Sequence, residues 1–305
     1  MKAWTAALLA SVTVACTTAG PGPRPPLPGA ETAAAAADRA PYVPDMEAPD
    51  PLRPGSEEFT AAAAALAPLA LPASAVQAPG AKAQDELRVH FLPVGAGSCY
   101  LVECPGADAR AILYDCGRTH SSPNSMTRDE VGDYAGEILG RYDEVAVVVS
   151  HHHSDHYNLV GAAAEGITAE SVWLGGTTWK PAGAWSGAGI APWLNAQETA
   201  GVPIHWNFAA GHSRLSAPEL RCGDSTDVLT VNNNAPSDAS EGTKKNTASL
   251  ILRIDYDGQS LILAGDATGI AEEAALAANN GREVTVLAAA HHGASSDRSS
   301  HSEWV

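Results

Sequence analysis

From residue 86 onward the apolar positions fall into short blocks with two distinct periods. ELRVHFLPVG, SCYLVEC (98–104) and AILYDCG (111–117) are rich in β-branched and aromatic residues. Turn residues such as PGADAR bound them, so they read as three strands. TRDEVGDYAGEILGRY (127–142) switches to a helical period, with Val131, Tyr134, Ala135, Ile138 and Leu139 on one face. Thr127 and Glu130 form a capping box at its start. EVAVVVS (144–150) is continuous rather than alternating, the pattern of a strand buried on both sheet faces. SVWLGG (171–176), LTVNN and SLILRIDYDGQSLILAGD (249–266) supply further strands, the last one folding back at Asp257-Gly258. Helices are expected from residue 158 to 166, near 192–200, and over GIAEEAALAANNG (269–281), which stops at Gly281. EVTVLAAAHHG (283–293) is a last strand. Strands interleaved with helices predict an α/β domain over residues 84–305.

The first 83 residues lack any such period. MKAWTAALLASVTVACTTAG places one lysine before an apolar run too short to span a bilayer, the layout of a signal peptide over residues 1–19. Cys16 follows Val14-Ala15 as in a bacterial lipoprotein cleavage box, with Thr13 where a larger aliphatic residue is usual. Residues 20–83 are Pro/Ala-rich and read as a disordered tether, with a short helix expected over 57–71. The expected location is therefore outside the cytoplasm: periplasmic, extracellular, or lipid-anchored to the envelope through Cys16.

The 305-residue chain carries a formal net charge of −17. That balance repels nucleic acid and anionic membranes unless a basic patch or bound metal intervenes. Nucleic acid is thus disfavoured as a partner, which leaves small-molecule substrates. Cys99, Cys104, Cys116 and Cys222 would form one or two disulfides in an oxidising compartment, or remain buried thiols. Cys99 and Cys104 have opposite parity in one strand and should not pair with each other.

The candidate chemistry lies directly after the continuous strand, in SHHHSDHYN (150–158). Ligand sites in α/β sheets sit beyond the carboxyl ends of strands. Residues two apart in extended backbone point the same way, so His151 and His153 can chelate one ion. Asp155 and His156 follow a change of direction and can serve a second. Imidazole and carboxylate suit Zn²⁺ and related divalent metals. His152 is expected to be a bystander.

The spacing His-x-His-x-Asp-His resembles the signature of the metallo-β-lactamase-fold hydrolases. That resemblance implies a four-layer αββα sandwich holding one or two metals. Four further segments resemble one branch, the metallo-hydrolase domain of bacterial DNA-internalisation proteins and their free-standing relatives. They are FLPVGAGS (91–98), LYDCG (113–117), NTASLIL (246–252) with LAGD (263–266), and AHHGA (290–294). By resemblance, His151 and His153 bind the first metal, and Asp155 and His156 the second. Asp266 bridges them, and His291 or His292 is the last ligand. Asp115 hydrogen-bonds a ligand histidine, and Asn246 contacts substrate or orders its loop. Two divalent ions are implied, Zn²⁺ first and Mn²⁺ as the alternative. Asp155 and Asp266 are the candidate catalytic groups of a hydrolase acting on a phosphodiester or related phosphoester. An acyl or lactam hydrolase of the same fold, or a non-catalytic metal-binding module at the cell surface, are the alternatives.

The sequence departs from the branch pattern at Pro93, Ala96 and Ser98, where acidic residues and glutamine are usual. A third-motif histidine has no clear counterpart, although His205 and His212 fall in the right interval. The chain also stops at Val305, sooner after the last histidines than is usual, so a fragment or a shortened second half-sandwich is expected. His120 reads as a solvated loop residue and the Lys244-Lys245 pair likewise. The tryptophans Trp173, Trp179, Trp185, Trp193 and Trp206 read mainly as packing residues.

Overall fold

The computed structural model of the chain describes residues 11–12, 86–106, 110–121, 124–176, 190–206, 208–209, 215–216, 218–293 and 298–299. Most of the expected signal segment, Cys16, the tether with its 57–71 helix, Trp179, Trp185 and His212 lie outside them.

The alternating and continuous strands assemble into two sheets. The first runs in the order β1 (Ser11–Val12), β2 (Arg88–Phe91), β3 (Cys99–Glu103), β4 (Arg110–Cys116), β5 (Glu144–Val149), β6 (Ser171–Leu174) and β7 (Ile204–His205). Pairing is antiparallel as far as β4 and parallel from β4 to β7. The second sheet runs in the order β12 (Val286–Ala288), β11 (Gln259–Leu263), β10 (Ile251–Tyr256), β9 (Ser225–Thr230) and β8 (Leu215–Ser216). Its pairs are antiparallel except β11 with β12. The β10–β11 hairpin turns where the pattern indicated, with Asp257 at φ 47° and Gly258 at φ 72°. Both are left-handed, as a type I′ turn requires.

Three apolar clusters separate four layers. One face of the first sheet (Leu101, Leu113, Val147, Val149) packs on α1 (Arg128–Leu139), α3 (Val160–Ala163) and α4 (Ala191–Thr199). Its other face (Val102, Ile112, Tyr114, Val148) meets Val228, Leu252, Ile254 and Leu263 of the second sheet. The outer face of the second sheet (Leu229, Ile251, Ile262) packs on Ala271 and Ala275 of α6 (Gly269–Asn279). The layer order is therefore αββα. The continuous run of β5 is explained by this arrangement, since both its faces are buried.

The capping box is present at α1, where Thr127 accepts from the Glu130 N–H and Glu130 returns a bond to the Thr127 N–H. Several boundaries differ from those the pattern predicts. The helix expected over 158–166 is a single turn at α3, and α1 ends at Leu139 rather than near Tyr142. Asn280, not Gly281, is the first left-handed residue after α6. The 240s, read as a loop, contain α5 (Glu241–Thr247), started by the Ser240 hydroxyl accepting from the Thr243 N–H.

All four described cysteines are paired, so the buried-thiol alternative falls. Cys99–Cys116 joins facing positions of β3 and β4, and Cys104–Cys222 links the first sheet to the approach to β9. Neither pairing could be read from parity, which excluded only Cys99 with Cys104. A buried polar cluster clamps β2 to α1 and β3. Glu103 accepts from Tyr142 Oη at 2.6 Å, its other oxygen lies 2.8 Å from His90 Nε2, and His90 Nδ1 reaches Tyr134 Oη at 2.9 Å. Burial alone would raise the Glu103 carboxyl, but the bonds from His90 and Tyr142 hold it below its usual value.

Two stability predictions follow from these contacts. Cys104 and Cys222 are 118 residues apart and Cys99 and Cys116 are 17 apart. Loop closure gives the long link roughly 4–5 kcal/mol and the short one about 3. Urea unfolding of the double serine variants should show the larger loss for Cys104→Ser/Cys222→Ser; equal losses would contradict it. Glu103 has a depressed folded pKa, so its contribution is present above the unfolded value of about 4.3 and disappears as pH falls through the folded value. Glu103→Gln should cost roughly 1–3 kcal/mol at neutral pH. The gap from the parent protein should narrow below about pH 4.3; a gap independent of pH would refute it.

Candidate metal centre

The centre is built on one buried carboxylate. Asp115 lies near the end of β4, fully buried and at φ 51°. Its Oδ1 accepts from the Ser150 N–H at 2.6 Å, and its Oδ2 accepts from Ser150 Oγ at 2.8 Å. The same Oδ2 lies 2.8 Å from His156 Nδ1. A carboxylate taken out of water needs such donors to remain charged. Burial works to raise its pKa, while the His156 charge and the Ser150 donors work against that rise.

These bonds set the histidine tautomers. Asp115 fixes the proton of His156 on Nδ1, leaving Nε2 turned toward Asp266 Oδ1 at 3.0 Å. Ser150 Oγ, having donated to Asp115, can only accept from His151 Nδ1 at 3.0 Å. His151 Nε2 therefore presents its lone pair, 3.0 Å from His153 Nδ1. Ser150 is a site residue that the motif reading passed over. The signal was available, because a hydroxyl adjoining the first histidine can hydrogen-bond its ring.

Local backbone geometry brings the loop to this carboxylate. His153 is extended, and the chain then turns into the short helix α2 (Ser154–Tyr157), which produces the expected change of direction. Gly117 permits the close approach: a Cβ there would stand 2.5 Å from the Asp155 carbonyl carbon and 2.6 Å from the His156 nitrogen. Gly265, at φ 55°, plays the same part beside Ser150, whose Cβ and Oγ would lie 2.5 Å from an added Cβ. The β11–α6 corner can therefore deliver Asp266 against the β5 loop.

Two donor sets result, sharing Asp266. His151, His153 and Asp266 form one; Asp155, His156, Asp266 and His292 form the other. Within each set the ligand atoms all lie within 4.8 Å of one another. His292 Nε2 is 3.4 Å from Asp266 Oδ1 and 3.6 Å from Asp155 Oδ2. His291 Nε2 lies 3.9 Å from Asp266 Oδ2 but joins neither set, so the geometry favours His292 of the pair. Both histidines occupy left-handed backbone, at φ 51° and 55°. For non-glycine residues this conformation costs energy and persists only where surrounding structure imposes it.

The electrostatics fit cations. Burial opposes a proton on His156, but Asp115 and then Asp266 overcome it and raise its pKa to about 10. The same negative field favours a metal ion. His151 is held well below its usual value by burial and by its histidine neighbours, as a neutral ligand must be. Burial works to raise the Asp266 carboxyl, but His156, His292 and His291 outweigh it and hold it below its usual value. His156 Nε2 and Asp266 Oδ1 are both buried without an aligned hydrogen bond, despite their 3.0 Å approach. Buried nitrogen and oxygen atoms in this condition are costly unless a cation takes them. The residues present thus fit a divalent metal, and their N/O donors suit Zn²⁺ or Mn²⁺.

Other candidates lie elsewhere. Asn246, on α5, is buried with its Oδ1 lacking a hydrogen-bond partner among the described residues. His205 stacks on Trp173 at 4.2 Å, and His120 is exposed; neither enters a donor set. Trp173 and Trp193 are buried and Trp206 packs against the core, as packing residues should. Of the departures from the branch pattern, Ser98 supports the loop through its N–H, which donates to the Asp155 carbonyl at 3.1 Å.

The profile of the Metallo-beta-lactamase superfamily matches residues 92–301, more than half of the chain. A crystal structure of a proposed metal-dependent hydrolase from Parabacteroides distasonis ATCC 8503 is similar at a TM-score of 0.32 and 14% identity. The match covers 60% of this chain and 61% of that one, a likeness too distant to bear on chemistry. No curated protein matches the sequence.

The separate duties of neighbouring histidines are testable by metal analysis. His153→Ala should lose bound metal after zinc reconstitution, while His152→Ala should retain it. Asp115→Asn should weaken metal affinity roughly 10- to 100-fold. Equal metal loss from the His152 and His153 variants would contradict the two donor sets.

Proposed function

Because the chain belongs to the metallo-beta-lactamase superfamily, we propose that it is a metal-dependent hydrolase with a two-metal centre, acting on a phosphodiester or related phosphoester. The observation that carries this is the pair of donor sets meeting at Asp266. Divalent ions held there would supply Lewis acidity and make hydroxide available near neutral pH. His151, His153 and Asp266 would hold one ion, and Asp155, His156, His292 and Asp266 the other.

The chain's own groups have distinct tasks. Asp115 and Ser150 hold the Nδ1 positions of His156 and His151, so that each Nε2 is aimed at the metal position. The fully buried rings of His151 and His156 exclude water from the inner wall. Asp155 is partly exposed at the rim, and its Oδ2 is placed to orient the attacking water and take its proton. Two metals suit in-line displacement at phosphorus, and the sequence resemblance described above favours that substrate class over an acyl one. The net charge of −17 disfavours DNA. The complete donor set speaks against a non-catalytic module. Export to an oxidising compartment is part of the proposal, supported by the N-terminal apolar run and the two disulfides.

Purified protein reconstituted with Zn²⁺ or Mn²⁺ should hydrolyse bis(p-nitrophenyl) phosphate, and Asp155→Ala/His156→Ala should abolish turnover. Unchanged turnover in that variant would overturn the catalytic assignment. Preference for a lactam or carboxylic ester would replace the substrate class.

A further inference from the structure

The pairing of β3 with β4 is irregular at the carboxylate on which the centre is built. Tyr100 faces Tyr114, but the preceding residue of β3, Cys99, faces Cys116 rather than Asp115. Asp115 is thus the extra residue of a β-bulge, and its backbone is left-handed at φ 51°. The bulge breaks the alternation of β4. Ala111 and Leu113 pack on the helical side of the first sheet, Ile112 and Tyr114 on the side of the second sheet. An unbroken strand would carry Asp115 to the helical side and Cys116 to the other. Instead Cys116 lies with Leu113, and Asp115 is turned to Ser150 and His156.

The first pair beyond the bulge is the buried Cys99–Cys116 disulfide. In the regular register Cys99 would face Asp115, and the two cysteines would lie on opposite faces of the sheet. Side chains so directed cannot be bridged, so the bond is compatible with the bulged register and not with the regular one. The metal loop rests on the backbone around this link. The Gly117 N–H donates to the Ser98 carbonyl at 2.9 Å, and the Ser98 N–H to the Asp155 carbonyl at 3.1 Å. The Leu159 N–H donates to the Cys116 carbonyl at 2.9 Å. Left-handed backbone at a non-glycine residue persists only where its surroundings impose it. Here a covalent link stands one residue away.

We propose that the Cys99–Cys116 disulfide is a positioning element of the metal centre, locking the bulge that aims Asp115, so that tight metal binding belongs to the oxidised chain. Opening the bond takes two electrons and two protons, one of each per sulfur. A dithiol supplies them in closing to its own disulfide, or a phosphine in taking oxygen from water. The inference rests on the metal-dependent reading above, which zinc binding by the parent protein tests separately.

Zinc affinity of the full chain is measured by competition with a chromophoric chelator, alongside urea unfolding. Cys99→Ser/Cys116→Ser should weaken zinc binding about ten- to a hundredfold, as expected for Asp115→Asn, although it loses less stability than the other disulfide variant. Cys104→Ser/Cys222→Ser should keep the parent affinity. Adding Asp115→Asn to Cys99→Ser/Cys116→Ser should weaken binding little further, because both act through one carboxylate. Parent affinity in Cys99→Ser/Cys116→Ser, equal weakening in both disulfide variants, or fully additive loss with Asp115→Asn would overturn the positioning role. Should a variant not fold, graded reduction of the zinc-loaded parent with tris(2-carboxyethyl)phosphine decides, with alkylation and mass mapping to show which disulfide has opened. Zinc should leave as Cys99–Cys116 opens, while the far-UV circular dichroism is retained. Zinc held after that opening, or lost only together with the circular dichroism, would overturn the proposal. A parent protein that binds no zinc would remove the metal reading and this inference with it.

Discussion

Burial of the Asp115 carboxylate constrains everything around it. A charged group without solvent exposure is tolerable only while its donors stay in place. Those donors are the Ser150 backbone, the Ser150 hydroxyl and His156, all from the loop after β5. They reach Asp115 because β4 and β5 run parallel in a register that sets Tyr114 beside Val148. The register therefore decides which nitrogen of each ligand histidine is free. Tyr114, one residue earlier, reaches across to the other sheet, donating to the Leu250 and Leu263 carbonyls at 2.6 and 3.1 Å. Consecutive residues thus tie the metal loop to β4 and tie the two sheets to each other. The fold and the centre share one hydrogen-bond network, and disturbing the sheet interface disturbs the ligands.

Most of this architecture was legible in the sequence wherever local chemistry decides the outcome. The continuous run at 144–149 announced a doubly buried strand, Thr127 with Glu130 announced a helix start, and Asp257-Gly258 a tight turn. His151, His153, Asp155 and His156 could be divided between two ions from alternation and a change of direction alone, and the structure groups them that way. Features set by distant partners were not legible. The cysteine pairs depend on the β3–β4 register and on the meeting of the two sheets. Choosing between His291 and His292 required the backbone path after β12, where both adopt left-handed conformations that sequence spacing does not encode. Ser150 looked like a spacer because its importance lies in a partner 35 residues earlier.

The overlooked helix α5 shows how a local misreading hides a difference in side-chain environment. GTKKNTAS lacks an apolar stripe, so periodicity offers nothing there, and Ser240 caps without a matching acid three residues on. Read as a loop, its lysines are interchangeable; on a helix they cannot be, because adjacent side chains diverge. Lys244 pairs with the exposed Glu241, whereas Lys245 is partly buried. The distinction exists only after the backbone is known, although it concerns charge rather than shape.

The centre divides into a dry wall and an open rim, and the two halves do different work. His151, His156, Asp115 and Asp266 form the wall, each almost or wholly buried. In that low-dielectric setting each carboxylate acts strongly on its neighbours, as the elevated proton affinity of His156 shows. A cation is drawn by the same field, so the wall contributes strongly to metal affinity. His153, Asp155 and His292 are partly or largely exposed and complete the two donor sets from the rim. Solvent screening there weakens their mutual field, leaving them suited to exchange water and admit a ligand. The rim residues therefore serve two ends at once: they complete the donor sets and face the open side, so a change there alters both ion retention and what can be bound.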